Sequence, residues 1–201
     1  MGSARADVIV STPTLPLLGV PYTISGGNCF PTAGFCVAGG AFTFTSLVGS
    51  STSGGNEYFT TDTTFTGDVT TLSHTPVATV TLTGTAEQEV LARASPTDTG
   101  SWTVDLLSLS LSGTVAGYPL SLQLNPADLA LDQGTTSITP VGNTEEFSVN
   151  SFFDVFADVT YGPLTATPSG VATASGVPEP ATLMLLAGPL LAMSAMRRRR
   201  R

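Results

Sequence analysis

Few side chains in this 201-residue chain could do chemistry, and they are scattered. The single histidine, His74, sits in Ser73-His74-Thr75-Pro76, where the following proline marks a turn or strand entrance. A Ser-His-Asp site could use it only by gathering distant groups. Alone it reads as a solvated turn residue. Cys29 and Cys36 bracket a segment whose Pro31 and Gly34 favour a tight loop. In an oxidising compartment such a pair forms a disulfide. The competing reading, Cys29 as a nucleophile with His74, is opposed by the neighbouring thiol. The segment also offers too few ligands for zinc. Asp154 and Asp158 are four residues apart on one strand face, roughly 14 Å at strand rise. That is too wide for one metal ion or for a glycosidase carboxylate pair, so they read as a solvated acidic face. Asp62 and Asp68 flank an expected turn, with Gly67-Asp68 as its signal. Calcium there is a hypothesis without the D-x-D-x-D-G pattern to support it. No G-x-S-x-G elbow, H-E-x-x-H pair or phosphate-cradling glycine motif occurs. No catalytic residue, cofactor or resident metal is assigned.

The elements that must position these residues are strands. Phe42 and Phe44 alternate with Thr43 and Thr45, and Val80 and Leu82 with Thr79, Thr81 and Thr83. Phe147–Tyr161 keeps period two over 15 residues, which predicts one long half-buried strand. Phe152 and Phe156 break its polar face. Either the strand is central and covered on both sides, or it carries an exposed aromatic patch. Trp102–Leu111 changes face midway: Trp102, Val104 and Leu106 lie on one side, and Leu107, Leu109 and Leu111 on the other. One inserted residue, a β-bulge, reconciles them. Gly54-Gly55-Asn56, Gly67-Asp68, Pro96-Thr97-Asp98 and Gly142-Asn143 read as turns. Outside the C-terminus only Pro126–Asp132 reads as helical, for a turn or two. Thr165–Gly176 is rich in Thr, Ala, Ser and Gly, and reads as a flexible spacer. The expected fold is all-β: a two-sheet antiparallel sandwich of jelly-roll or immunoglobulin-like connection, followed by a C-terminal hydrophobic helix.

Charge narrows the partners. Arg93 is the only Lys or Arg between Asp7 and Pro180. One positive charge against 15 negative leaves −14. Such a body repels phosphate backbones and anionic headgroups, which excludes nucleic acid as a partner.

The last 25 residues differ from the rest. Pro178-Glu179-Pro180 is followed by an apolar run, Ala181–Met196, and then by Arg197, Arg198, Arg199, Arg200 and Arg201. These 16 uncharged residues would span roughly 24 Å as a helix. That is somewhat short of the ~30 Å hydrocarbon core, and arginine stems lengthen the reach. By the positive-inside rule the arginines stay cytoplasmic and act as a stop. A buried core helix with a basic end and a simple tail anchor are the competing readings.

This order of three parts resembles the PEP-CTERM sorting signal of Gram-negative bacteria, over the last 25 residues only. In that family an exosortase, a membrane transpeptidase-like enzyme, recognises the tripeptide and processes the tail. Two prolines hold such a segment extended, the form a protease-like cleft binds. The resemblance implies export, transient anchoring in the inner membrane, and delivery to the cell surface or extracellular matrix. It implies no activity. At the other end, Ala4-Arg5-Ala6 fits the small-residue pattern of signal peptidase cleavage before Asp7, although the apolar region that should precede it is missing. We expect residues 1–6 to be the remnant of a signal peptide.

The expected organisation is therefore a remnant at 1–6, a β-domain at 7–164, a linker at 165–176 and the sorting signal at 177–201. The expected function is a noncatalytic structural or adhesive module of a surface or biofilm matrix. The first alternative is a carbohydrate-binding module for exopolysaccharide, using aromatics such as Tyr58, Trp102, Tyr118 or Tyr161. The second is a secreted hydrolase with a dispersed site.

Overall fold

The structure is a computed structural model, and it describes residues 7–25, 27–125, 129–168 and 172–176. The sorting motif Pro178-Glu179-Pro180, the expected C-terminal helix and the arginines 197–201 lie outside the described residues, as does the 1–6 remnant. Among the described residues no helix is long and apolar enough to cross a membrane.

The chain folds as strands: β1 (Val8–Val10), β2 (Pro21–Ser25), β3 (Gly27–Phe30), β4 (Phe35–Ser53), β5 (Asn56–Thr71), β6 (Pro76–Val90), β7 (Gly100–Val115), β8 (Tyr118–Leu124), β9 (Gln133–Pro140), β10 (Phe147–Val155), β11 (Ala157–Tyr161), β12 (Leu164–Ala166) and β13 (Ala172–Gly176). A 3₁₀ turn at Leu129–Leu131 is the one helical element described.

The strands do not form the two separate sheets expected. All pair antiparallel in a single sheet whose ladder closes on itself. Consecutive strands β4 to β8 are neighbours, and β9 bridges β7 to β10. From β10 the ladder runs through β13 and β2 back to β4. The physical reason is sharing of places. β9 pairs with the first part of β7 and β8 with the last part. In the same way β10 is continued by β11, beside β8. Closure removes most free edges, which a sandwich leaves open.

The ring has two ends. One carries the turn at Gly54-Gly55, the 91–99 loop and the 141–146 loop. The other carries the turns at 31–34, 72–75, 116–117 and 162–163.

Period two explains the core. Phe42, Phe44, Val80 and Leu82 are buried, while the alternating threonines are half-buried or exposed. Tyr22 and Phe153 pack ring to ring at 5.1 Å, and Phe42 meets Phe65 at 4.8 Å. The expected bulge is present in β7. Glu87 pairs with Ser108 but Gln88 with Leu106, so Leu107 is the extra residue and faces outward. Val104 and Leu106 before it, and Leu109 and Leu111 after it, all reach the core.

Three expectations need correction. Phe147–Tyr161 is broken at Phe156 into β10 and β11, because the Phe156 N–H leaves the ladder to donate to Asp132 Oδ1 at 2.5 Å. Gly67-Asp68 is not a turn but lies within β5. A Cβ at Gly67 would stand 2.6 Å from the Phe65 ring, so glycine serves ring packing there. The 165–176 segment is no spacer in its described part. Ala172 and Ala174 are buried, and β13 is the strand that joins β10 to β2.

Candidate functional site

The expected disulfide forms. Cys29 and Cys36 are direct cross-strand partners on β3 and β4, with S–S 2.02 Å. Neither sulfur is then a thiolate, which removes the Cys29–His74 pairing. His74 is exposed in the β5–β6 turn at φ 61°, its N–H donating to the Thr71 carbonyl at 2.9 Å.

The candidate carboxylates are not brought together. Asp154 on β10 accepts from Thr173 Oγ1 at 2.5 Å, and Asp158 lies on β11 opposite Gln123. Asp62 accepts from Ser46 Oγ at 2.6 Å and Asp68 from Thr79 Oγ1 at 2.7 Å, both on the outer face of β5. Among the described residues no three His, Cys, Asp or Glu side chains are grouped to hold a metal ion.

Two charged clusters were not foreseen. The first surrounds Arg93, fully buried although it is the lone cation of the body. Its NH1 pairs with Glu57 Oε2, and its NH2 donates to the Pro13 carbonyl at 2.5 Å and the Pro96 carbonyl at 2.8 Å. Its guanidinium carbon stands 5.2 Å from the centre of the Trp102 ring. The group ties the N-terminal crossing segment to the 91–99 loop and to β5, closing one end of the ring. Burial pushes the Glu57 carboxyl up, and the Arg93 charge opposes that shift. A usable signal existed: one cation among fifteen acids has carboxylates to choose from, and Arg is the cation best suited to a buried pair.

The second is a row across the outer face. Tyr58, Glu89, Asp105 and Gln133 are successive cross-strand partners. Tyr58 Oη and Asn56 Nδ2 both donate to Glu89 Oε1, at 2.5 and 2.6 Å. Asp105 is pushed up by burial and by the Glu89 charge beside it. Its Oδ1 has no hydrogen-bond partner among the described residues. This is a flat sheet face with one hydrogen-bonded carboxylate and one crowded one.

The four aromatic candidates separate. Trp102 is half-buried against the core under Arg93. Tyr58 is held by Glu89. Tyr118, 60% exposed, meets Tyr161 edge-on at 5.8 Å, and exposed Leu164 pairs with Tyr161. Phe152 and Phe156 are half-buried, with β10 flanked by β9 and β13.

Inside the ring lies an apolar cavity of about 50 Å³, lined by Phe30, Phe35, Phe42, Phe65, Leu82 and Leu122 among others. An apolar cavity of about 150 Å³ is what admits benzene. This one is packing slack, not a ligand chamber.

At the N-terminal side, β1 pairs with Phe147–Val149 of β10, next to the place where β13 ends. The Asp7 carboxylate accepts from Ser148 Oγ at 2.6 Å and Asn150 Nδ2 at 3.0 Å, and these bonds lower its pKa. Compared with known proteins, the chain matches no family model, no curated protein and no solved structure.

Proposed function

We propose that the chain is an exported surface or matrix protein. Its closed β-domain serves as a noncatalytic structural or adhesive module, and its C-terminal 25 residues act as a PEP-CTERM sorting signal processed by an exosortase. The observation that carries this reading is the order of Pro178-Glu179-Pro180, the apolar run 181–196 and five arginines at the end of an otherwise acidic chain. Two structural facts are in keeping with it. A cross-strand disulfide suits an oxidising compartment. The first strand starts at Val8, directly after the expected cleavage point before Asp7.

The test is expression of the full chain, fused behind a Gram-negative secretion signal, in a host with and without an exosortase. With the enzyme the product loses mass at its C-terminus and leaves the inner membrane. Pro178→Ala/Glu179→Ala keeps it full-length and membrane-bound. A product of unchanged mass and location in both hosts sinks the sorting claim, as does a cytosolic product with free thiols at Cys29 and Cys36.

Binding of exopolysaccharide is the second reading. It is favoured by the Tyr118–Tyr161 pair, two aromatic rings at one end of the barrel of which Tyr118 is largely exposed. On a glycan array, reproducible binding to one sugar class that Tyr118→Ala abolishes supports it. A blank array removes it.

A further inference from the structure

We infer that the free edge of β4 is a self-association edge, along which a second copy of this chain adds to the sheet. This deepens the structural-module half of the proposed function and does not depend on the sorting signal. On its inner half, β4 has partners on both sides. β3 covers Phe35–Ala38, β2 covers Ala41–Thr43 and Leu18 bridges to Phe44. Beyond Phe44 its only ladder partner among the described residues is β5. All of Thr45–Ser53 is exposed, although residues paired with it across the ladder, such as Phe59 and Thr61, are buried. Among the described residues the other terminal edges, β1, β3 and β12, have three or four residues each, and the start of β6 at 76–81, which pairs only with β5, begins with a proline.

An unpaired row of N–H and C=O groups is a template for another strand. Folded proteins blunt such edges with charge, proline or bulges. Thr45–Ser53 contains no charge and no proline. Register shifts do bend its start, after Phe44 and after Leu47, but Gly49–Ser53 then runs in unbroken register with Thr60–Asn56. Leu47 and Val48, both exposed, sit at the head of this regular stretch.

Charge selects the occupant. Two identical edges meeting antiparallel about a two-fold axis place each copy's charges against the same charges of the other. On a body of −14 that is repulsive nearly everywhere, and the stretch Gly49–Ser53, beyond the Asp62 carboxylate that Ser46 holds, is where copies can meet with least of it. A basic partner would be drawn instead to Glu87, Glu89 and Asp105 on the outer face. The edge is short, so the pairing is weak and depends on concentration, and it gains from many copies held on one surface.

The experiment is oxidative cross-linking of the full-length chain. Ser50→Cys lies within the regular edge, and Thr83→Cys, equally exposed on the outer face of β6, is the control. We expect Ser50→Cys to give a disulfide dimer that grows with concentration, several-fold faster than the control. Adding Val48→Lys should reduce it at least fivefold with the melting temperature unchanged; Leu47→Lys serves if that variant does not fold. Equal rates for Ser50→Cys and Thr83→Cys overturn the inference. So does cross-linking that ignores the lysine, which would assign association to the apolar tail. Cross-linking in cells to another protein and not to itself would give the edge a different partner and also overturn it. The sorting test reads C-terminal mass, so the two proposals fail separately.

Discussion

Arg93→Met removes the cation that closes one end of the ring. Its size follows from what is left behind. Glu57 stays buried with no counter-charge, and breaking a buried ion pair by removing one partner costs about 3–5 kcal/mol. The carbonyls of Pro13 and Pro96 also lose a donor, a loss that overlaps with the first and does not add in full. We expect Arg93→Met to lose about 4 kcal/mol at pH 7, a large share of the ~5–15 kcal/mol that holds a domain together. Removing both charges behaves differently, because apolar groups of similar volume often replace a buried pair at little net cost. The double variant Arg93→Met/Glu57→Met should therefore recover about half of the loss, with the uncapped carbonyls accounting for the rest. Urea unfolding of Arg93→Met, Glu57→Met and the double variant gives the coupling energy. Trp102, the sole tryptophan, lies against Arg93 and reports the transition by fluorescence. A cost below about 1 kcal/mol for Arg93→Met, or a double variant no more stable than the single, refutes the idea that a desolvated pair holds this end closed.

Replacing Cys29 and Cys36 by serine reopens an eight-residue loop and should lower stability by about 2.5 kcal/mol in a urea titration, an effect matched by reduction of the wild type. Gly134→Ala places a Cβ 1.9 Å from the Phe152 carbonyl oxygen, on the strand that bridges β7 and β10. It should cost at least about 3 kcal/mol and speed hydrogen exchange in β9 and β10; unchanged exchange there contradicts the closure. Asp105→Asn removes one of two facing carboxylates. The Asp105 pKa is raised in the fold, so its charge destabilises increasingly as pH climbs from the unfolded value through the folded one. The variant should be more stable than wild type by a few tenths of a kcal/mol at pH 7, reduced by salt, and equal to it near pH 3. An advantage independent of pH rules out the charge explanation.

Much of the strand content was legible because it depends on local alternation. Phe42 and Phe44, Val80 and Leu82, and the face change in β7 could be read residue by residue, and two cysteines seven residues apart around Pro31 and Gly34 sufficed for their pairing. Closure was not legible. It depends on β13, whose inward residues are alanines, too small to give an apolar period, and which packs where Tyr22 and Phe153 already fill the space. Gly67 reads as a turn because glycine usually marks one, and its real constraint, the Phe65 ring, lies two residues away on the same strand. Arg93 was singled out by sequence but not placed, because burial of a charge is decided by partners such as Pro13, 80 residues distant.

The direction of β13 has a consequence for orientation. It runs antiparallel to β10, from Ala172 opposite Val155 to Ser175 opposite Phe152, and so heads towards the end of the ring that carries the Arg93 clamp. On the proposed reading, a tether leaving from Gly176 pulls that pole towards the bilayer. The pole bearing Tyr118 and Tyr161 then points outward, into whatever coats the cell. Val8 lies opposite Val149, three residues along β10 from the partner of Ser175, a distance of roughly 10 Å. A leader entering at Val8 and an anchor leaving at Gly176 would thus attach side by side along the same strand, β10.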